Sequence, residues 1–173
     1  MNITIKNLDC DCEEFKDLCN KTDEDLKPLK EFSLNGEVVL GRSYYVYDGD
    51  TIRVACFFNN ELYRYNIRLD GFDTPELRAK TQKEKDAGYM ARDWLRGVLD
   101  NKLVWLECKE TDKYGRLLAN VYVIDDKLNV KTTYKDYECV NDRIIKEGYA
   151  IAYSGQTKSD WEKLIENRGY PLK

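Results

Sequence analysis

From position 37 onward, apolar and polar positions mostly follow the two-residue period of a half-buried sheet. The runs 38–40, 42–47, 51–58 and 62–69 are rich in β-branched and aromatic residues, and each reads as a strand. Asn59-Asn60, between the last two, has the chemistry of a tight hairpin turn. Runs 103–109 and 117–124 repeat the strand pattern, and the polar segment 110–116 between them reads as a turn. Over 83–99 the period changes: Ala87, Met90, Ala91, Trp94, Leu95 and Val98 recur at three- and four-residue steps and predict one amphipathic helix. A second helix is predicted at 140–147, with Gly148 as its C-terminal stop. A third is predicted to start at Ser159, where Ser159-x-x-Glu162 has capping-box spacing, and to end before Gly169 and Pro171. Strands first, then helices, predict a five-stranded barrel of the OB type with about three helices against it, a fold that presents nucleic acid on one face.

The first 35 residues differ. They carry Asp9, Asp11, Glu13, Glu14, Asp17, Asp23, Glu24 and Asp25, and have one short amphipathic run at 13–20 with Phe15, Leu18 and Cys19 on one side. Pro28 ends any helix before it. The expected organisation is an acidic N-terminal extension over 1–35 and an OB-fold domain over 36–173.

Composition narrows the chemistry. The chain contains no histidine, which excludes a His general base, a Ser-His-Asp triad and any His metal ligand. There is no Gly-rich phosphate loop of the P-loop or dinucleotide-binding kind. The net charge of −4 argues against a generic basic nucleic-acid binder, though not against a local positive site. No apolar run reaches bilayer length and the N-terminus lacks a signal-peptide pattern, so the expected location is intracellular. The six cysteines are then expected as reduced thiols. Cys10, Cys12 and Cys19 could supply three zinc ligands, but no fourth is evident; Cys56 and Cys108, within strand runs, read as small core residues.

Three acidic and basic runs remain: Tyr47-Asp-Gly-Asp-Thr51, Arg68-Leu-Asp-Gly-Phe-Asp-Thr-Pro-Glu76 and Asp112-Lys-Tyr-Gly-Arg116. Asp, Gly and Pro are ordinary turn residues, and each arginine alone could be a surface cation. Taken together they offer oxygen ligands, a further carboxylate and two guanidinium groups. A site rich in oxygen and free of histidine and cysteine selects calcium or magnesium rather than zinc. Arginine grips phosphate oxygens in a bidentate manner that lysine cannot copy. This is the inventory for metal-assisted cleavage of a phosphodiester.

These runs, in this order, resemble the signatures of the thermonuclease, or staphylococcal nuclease-like, family. The similarity extends from about Tyr44 to Tyr153 and includes Gly148-Tyr-Ala-Ile-Ala-Tyr153. It implies an OB barrel with three helices and calcium-dependent hydrolysis of DNA or RNA with little sequence preference, leaving 3′-phosphates; magnesium is the weaker substitute. By motif, Asp50 and Asp73 would be side-chain calcium ligands and Thr74 would give its carbonyl. Glu76 would be the general base, and Arg68 and Arg116 would bind the scissile phosphate. Lys113 and Tyr114 would contact a terminal phosphate and sugar, and Tyr153 a base. The implied partner is nucleic acid, with no membrane and a monomeric chain. Gly155 replaces a second aromatic of the family pattern, the 129–138 loop is longer, and the extension has no counterpart. The competing expectation is a non-catalytic OB module that binds nucleic acid or protein.

Overall fold

A computed structural model of the chain describes residues 13–29, 33–58, 60–124, 133–155 and 159–172. The chain divides into two compact units, Met1–Phe32 and Ser33–Lys173. In the first, α1 (Glu13–Asn20) forms where the short amphipathic run predicts it. A single turn, α2 (Asp23–Leu26), follows and stops before Pro28. The threonine hydroxyl and N–H of Thr22 both donate to Asp25 Oδ2, at 2.7 and 2.9 Å, which caps that turn. Cys19 is an exposed thiol, while Cys10 and Cys12 lie outside the described residues.

The second unit is built on five long strands: β1 (Val38–Val46), β2 (Thr51–Phe58), β3 (Glu61–Leu69), β5 (Leu103–Thr111) and β6 (Leu117–Ile124). β1, β2 and β3 form an antiparallel meander, β5 pairs with the other edge of β1, and β6 pairs with β5. β6 then runs parallel to β3 through Ile67↔Leu117 to Leu69↔Ala119, which closes the barrel. The OB-type barrel predicted from the alternation is therefore the observed fold.

Alternating positions fill the interior. Val46, Ile52, Val54, Ile67, Leu69, Val104, Leu106, Ala119 and Val121 are buried, as are Cys56 and Cys108. Each large aliphatic among them contributes about 1.5–3 kcal/mol by leaving water. The two runs 38–40 and 42–47 are one strand. Gly41 continues it because any Cβ there would collide with Val54 Cγ1. The β2–β3 hairpin has the expected two-residue loop: Phe58 pairs with Glu61, and Asn60 adopts φ 63°. Asn59 lies outside the described residues.

Helix α3 (Gln82–Leu99) starts at Thr81, whose hydroxyl accepts the Glu84 N–H, and buries Ala87, Gly88, Ala91, Leu95 and Leu99. α4 (Val140–Lys146) ends as predicted at Gly148, with φ 82° and Gly148 N–H and Tyr149 N–H donating to Ile145 O and Ile144 O. α5 (Trp161–Arg168) differs from expectation at its start. Asp160, not Ser159, is the N-cap, accepting the Lys163 N–H at 3.2 Å. An aspartate carboxylate is as good a cap as serine, and its charge also suits the helix dipole. Three short strands escaped the sequence pattern because two residues carry no period: β4 (Phe72–Asp73), β7 (Glu138–Cys139) and β8 (Ile151–Ala152). β4 pairs with β8, and β7 extends the sheet beyond β6. Among the described residues no helix is long and apolar enough to cross a membrane.

Candidate active site

The site lies where the turn after β1, the segment after β3 and the β5–β6 turn converge. Its centre is Asp50, 9% exposed. Arg68 Nη2 stands 3.0 Å from Asp50 Oδ2, and Arg116 Nη1 stands 4.0 Å from Asp50 Oδ1. One buried carboxylate thus holds both guanidinium groups that the motifs singled out.

Each arginine is fixed by a second set of contacts. Arg68 also donates to Phe72 O at 3.2 Å and Leu69 O at 3.5 Å, bonds that tie the chain leaving β3 to the site. Arg116 Nε donates to Asp112 Oδ2 at 2.8 Å, and Arg116 Nη1 to Thr51 Oγ1 at 3.0 Å. The Thr51 hydroxyl in turn donates to Asp50 Oδ1 at 2.6 Å. The β5–β6 turn is wound around Asp112, whose carboxylate accepts the N–H groups of Tyr114 and Arg116, while Gly115 takes φ 78°. Burial alone would raise the Asp112 pKa. The backbone and guanidinium of Arg116 and the Tyr114 N–H outweigh it and hold the carboxyl below its usual range. Neither Thr51 nor Asp112 has a role assigned from sequence, although both stand inside the motifs.

The acidic segment after β3 abuts the Asp48–Asp50 turn. At Gly49 a Cβ would lie 2.8 Å from Thr74 Oγ1 and 2.9 Å from Ala91 Cβ on α3, so only glycine permits this approach. Asp73 and Thr74 are both buried, at 6% and 5% exposure. Asp73 Oδ2 accepts a hydrogen bond from Trp161 Nε1 at 3.0 Å, across 88 residues of chain. No local pattern signals that contact; only the packing of α5 on α3 brings the indole there. Asp48 is half-buried and accepts the Asp50 N–H at 3.2 Å. Burial and the adjacent Asp50 charge push Asp48 up to about 7.

Asp50, Asp73 and Thr74 offer oxygen donors only, which fits a hard divalent cation and not zinc. Among the described residues no group of three or more His, Cys, Asp or Glu is placed to hold a metal. The oxygen donors of the predicted set that could hold a cation are the carboxylates of Asp50 and Asp73 and the Thr74 carbonyl.

The remaining predicted residues lie on three separate segments. Lys113 and Tyr114 are exposed on the β5–β6 turn, with Lys113 Nζ 5.1 Å and Arg116 Cζ 5.6 Å from the Tyr114 ring centroid. Tyr153 follows β8, and its N–H donates to Gly71 O at 2.9 Å, which places it beside the β4 segment. Glu76 is exposed at the rim of a cavity of about 670 Å³ that Thr81, Glu84 and Trp161 also line.

A family model described as staphylococcal nuclease homologue matches residues 66–167, more than half of the chain. The chain belongs to the staphylococcal nuclease family. Relatives include the thermonuclease of Staphylococcus intermedius, 37% identical over 144 residues, covering 80% of this chain and 74% of that protein. The Staphylococcus hyicus thermonuclease is 32% identical over 123 residues, 70% of this chain and 63% of its own length. The probable endonuclease LCL3 of Candida glabrata is 28% identical over 97 residues, 56% of this chain but 35% of its own length. The match to the staphylococcal nuclease family model begins at Asn66, so it contains Arg68, Asp73, Thr74, Glu76 and Arg116. Asp50 lies before it and forms ion pairs with Arg68 and Arg116, which lie within it.

Proposed function

We propose that this chain is a calcium-dependent nuclease that hydrolyses phosphodiester bonds of DNA or RNA with little sequence preference, acting as a monomer. The observation that carries this reading is the pairing of Arg68 and Arg116 around one buried carboxylate, Asp50, with Thr74 packed against the neighbouring Gly49. Relatives named thermonuclease and probable endonuclease support it.

Calcium would be held by Asp50, Asp73 and the Thr74 carbonyl; when bound it supplies Lewis-acid polarisation of a phosphoryl oxygen. Glu76 orients a water and accepts its proton as the oxygen attacks phosphorus in line with the departing 5′ oxygen. Arg68 and Arg116 meet the charge that accumulates on the equatorial oxygens. Their own contacts to Phe72, Asp112 and Thr51 hold them in place before substrate arrives, so little reorganisation is left for the reaction. The 5′ oxygen takes a proton from solvent and a 3′-phosphate remains. Lys113 and Tyr114 bind a terminal phosphate and sugar, and Tyr153 packs beside a base.

The test is Glu76→Gln. We expect kcat on single-stranded DNA to fall about 10²–10⁴-fold, with melting temperature and calcium affinity retained, and chelation to abolish turnover of the wild type. Wild-type turnover by Glu76→Gln would reject the base, and undiminished activity in chelator would reject the metal. A chain that binds DNA but cleaves it under neither condition would be a binding module of the same fold.

A further inference from the structure

The outward face of β1, β2 and β3 carries three arginines in an acidic chain. Cross-strand register sets them in rows. Tyr45 pairs with Arg53 and Arg53 with Asn66; one row further from the site, Arg42 pairs with Ala55 and Ala55 with Arg64. All but Ala55 are exposed. The next outward position along β3 past Asn66 is Arg68, opposite Thr51, in the site itself. Strand geometry spaces successive rows by roughly 6.5–7 Å, so the rows form a regular ladder that ends at the proposed scissile phosphate.

Two details set this face apart. A bulge in β1 between Ser43 and Tyr45 leaves both Tyr44 and Tyr45 exposed, where strict alternation would turn one inward. Tyr45 then lies under Arg53, with the guanidinium carbon 5.1 Å from the ring centroid. Moreover, Arg92, Arg96 and Arg143 are all matched with acids on their own helix or nearby: Asp93, Glu138 and Glu147. Among the described residues Arg42 contacts Asn101 and Arg53 the Tyr45 ring, and no carboxylate pairs with Arg42, Arg53 or Arg64. In a chain with net charge −4, three exposed guanidinium groups without acids make this sheet face locally basic, which suits a polyanion.

We propose that this face is the track for a single-stranded polynucleotide leading into the site, with Arg42 and Arg64 flanking it in the outer row, Arg53 on a phosphate in the next row and Tyr45 stacking on a base. Guanidinium groups with an exposed aromatic among them, on one outward sheet face, are what such a strand requires. The track extends the proposed nuclease reading and rests on it only for the position of the cut.

The test uses the full chain bearing Glu76→Gln, so that affinity is read without turnover. Fluorescence anisotropy follows labelled dT20 and dT3 on this protein and on the same protein with Arg42→Gln, Arg53→Gln and Arg64→Gln. We expect the Kd for dT20 to rise at least tenfold and that for dT3 less than twofold. The slope of log Kd against log salt should flatten by about two, since each phosphate contact on a single strand contributes about 0.7. Should the triple variant melt early, the single variants should each weaken dT20 about two- to threefold. Unchanged dT20 affinity, or equal losses for both lengths, overturns the track. Displacement of dT20 by polyglutamate of equal charge assigns the face to an acidic protein and overturns it as well. Tight arginine-dependent binding of dT20 by a wild-type chain that cuts nothing would refute hydrolysis while leaving the track intact.

Discussion

At the scale of single residues, the groups that define the site are held by partners as informative as themselves. Trp161 has one polar atom, is 1% exposed, and places that N–H on Asp73. A donor on one carboxylate oxygen fixes the rotamer of the other, the usual service of an outer partner to a metal ligand. Trp161→Phe should weaken calcium binding about 10–100-fold by calorimetry, whereas Trp94→Phe, whose indole bonds Glu147 far along α3, should not. Equal affinities in the two variants would show that Trp161 only packs. Asp112 makes a second case. Its carboxyl is held below its usual range by Arg116, so the order it gives the β5–β6 turn is complete above the ordinary carboxylate pKa and is lost as pH falls through the depressed one. NMR titration of the Asp112 carboxyl should show a midpoint below that of an unfolded peptide, and Arg116→Gln should raise it. Thr51 and Asp112 stand in full view within the motifs, yet their roles depend on which atoms they reach. Trp161 offers no local signal at all.

Among elements, short contacts fix where the long ones sit. Gly88 lets α3 approach the Pro75–Glu76 backbone, where a Cβ would stand 2.9 Å from Pro75 O. The acidic segment is thereby clamped between α3 and the turn at Gly49. Asn141 at the start of α4 is buried, accepts the Val121 N–H and donates to Asp70 O and Ala119 O. One side chain therefore ties α4 to β6 and to the chain leaving β3. Asn141→Ala leaves the Val121 N–H and Asp70 O unpaired, each costing about 1–3 kcal/mol, while Ala119 O keeps the Asp70 N–H. Urea unfolding should show a loss of at least about 2 kcal/mol with an unchanged m-value, and a smaller loss would mean that water replaces the amide. The long strands and α3 were legible because their periods run for eight residues or more. β4 and β8 were not, since two residues cannot display a period and their pairing joins positions 78 or more apart.

For the molecule as a whole, charge and fold act on different lengths. The excess of acid is global, whereas Arg42, Arg53 and Arg64, none paired with a carboxylate among the described residues, share one sheet face. The unit Ser33–Lys173 contains the closed barrel, its core and every site residue. A fragment starting at Ser33 is expected to fold cooperatively and to retain nuclease activity on dT20 within about twofold. Failure to fold, or a tenfold loss, would assign the first 32 residues a part in the domain.

Sequence by itself determined the alternation that makes a barrel, the amphipathic face of α3, and the acids and arginines gathered in three short motifs, because these follow from chemistry read a few residues at a time. Tertiary structure alone decided that Asp50 would sit between Arg68 and Arg116, that an indole 88 residues away would hold Asp73, and that arginines from β1, β2 and β3 would share a ladder. Those outcomes depend on barrel closure and strand register, which sum weak preferences over the whole chain and have no counterpart in any local stretch of it.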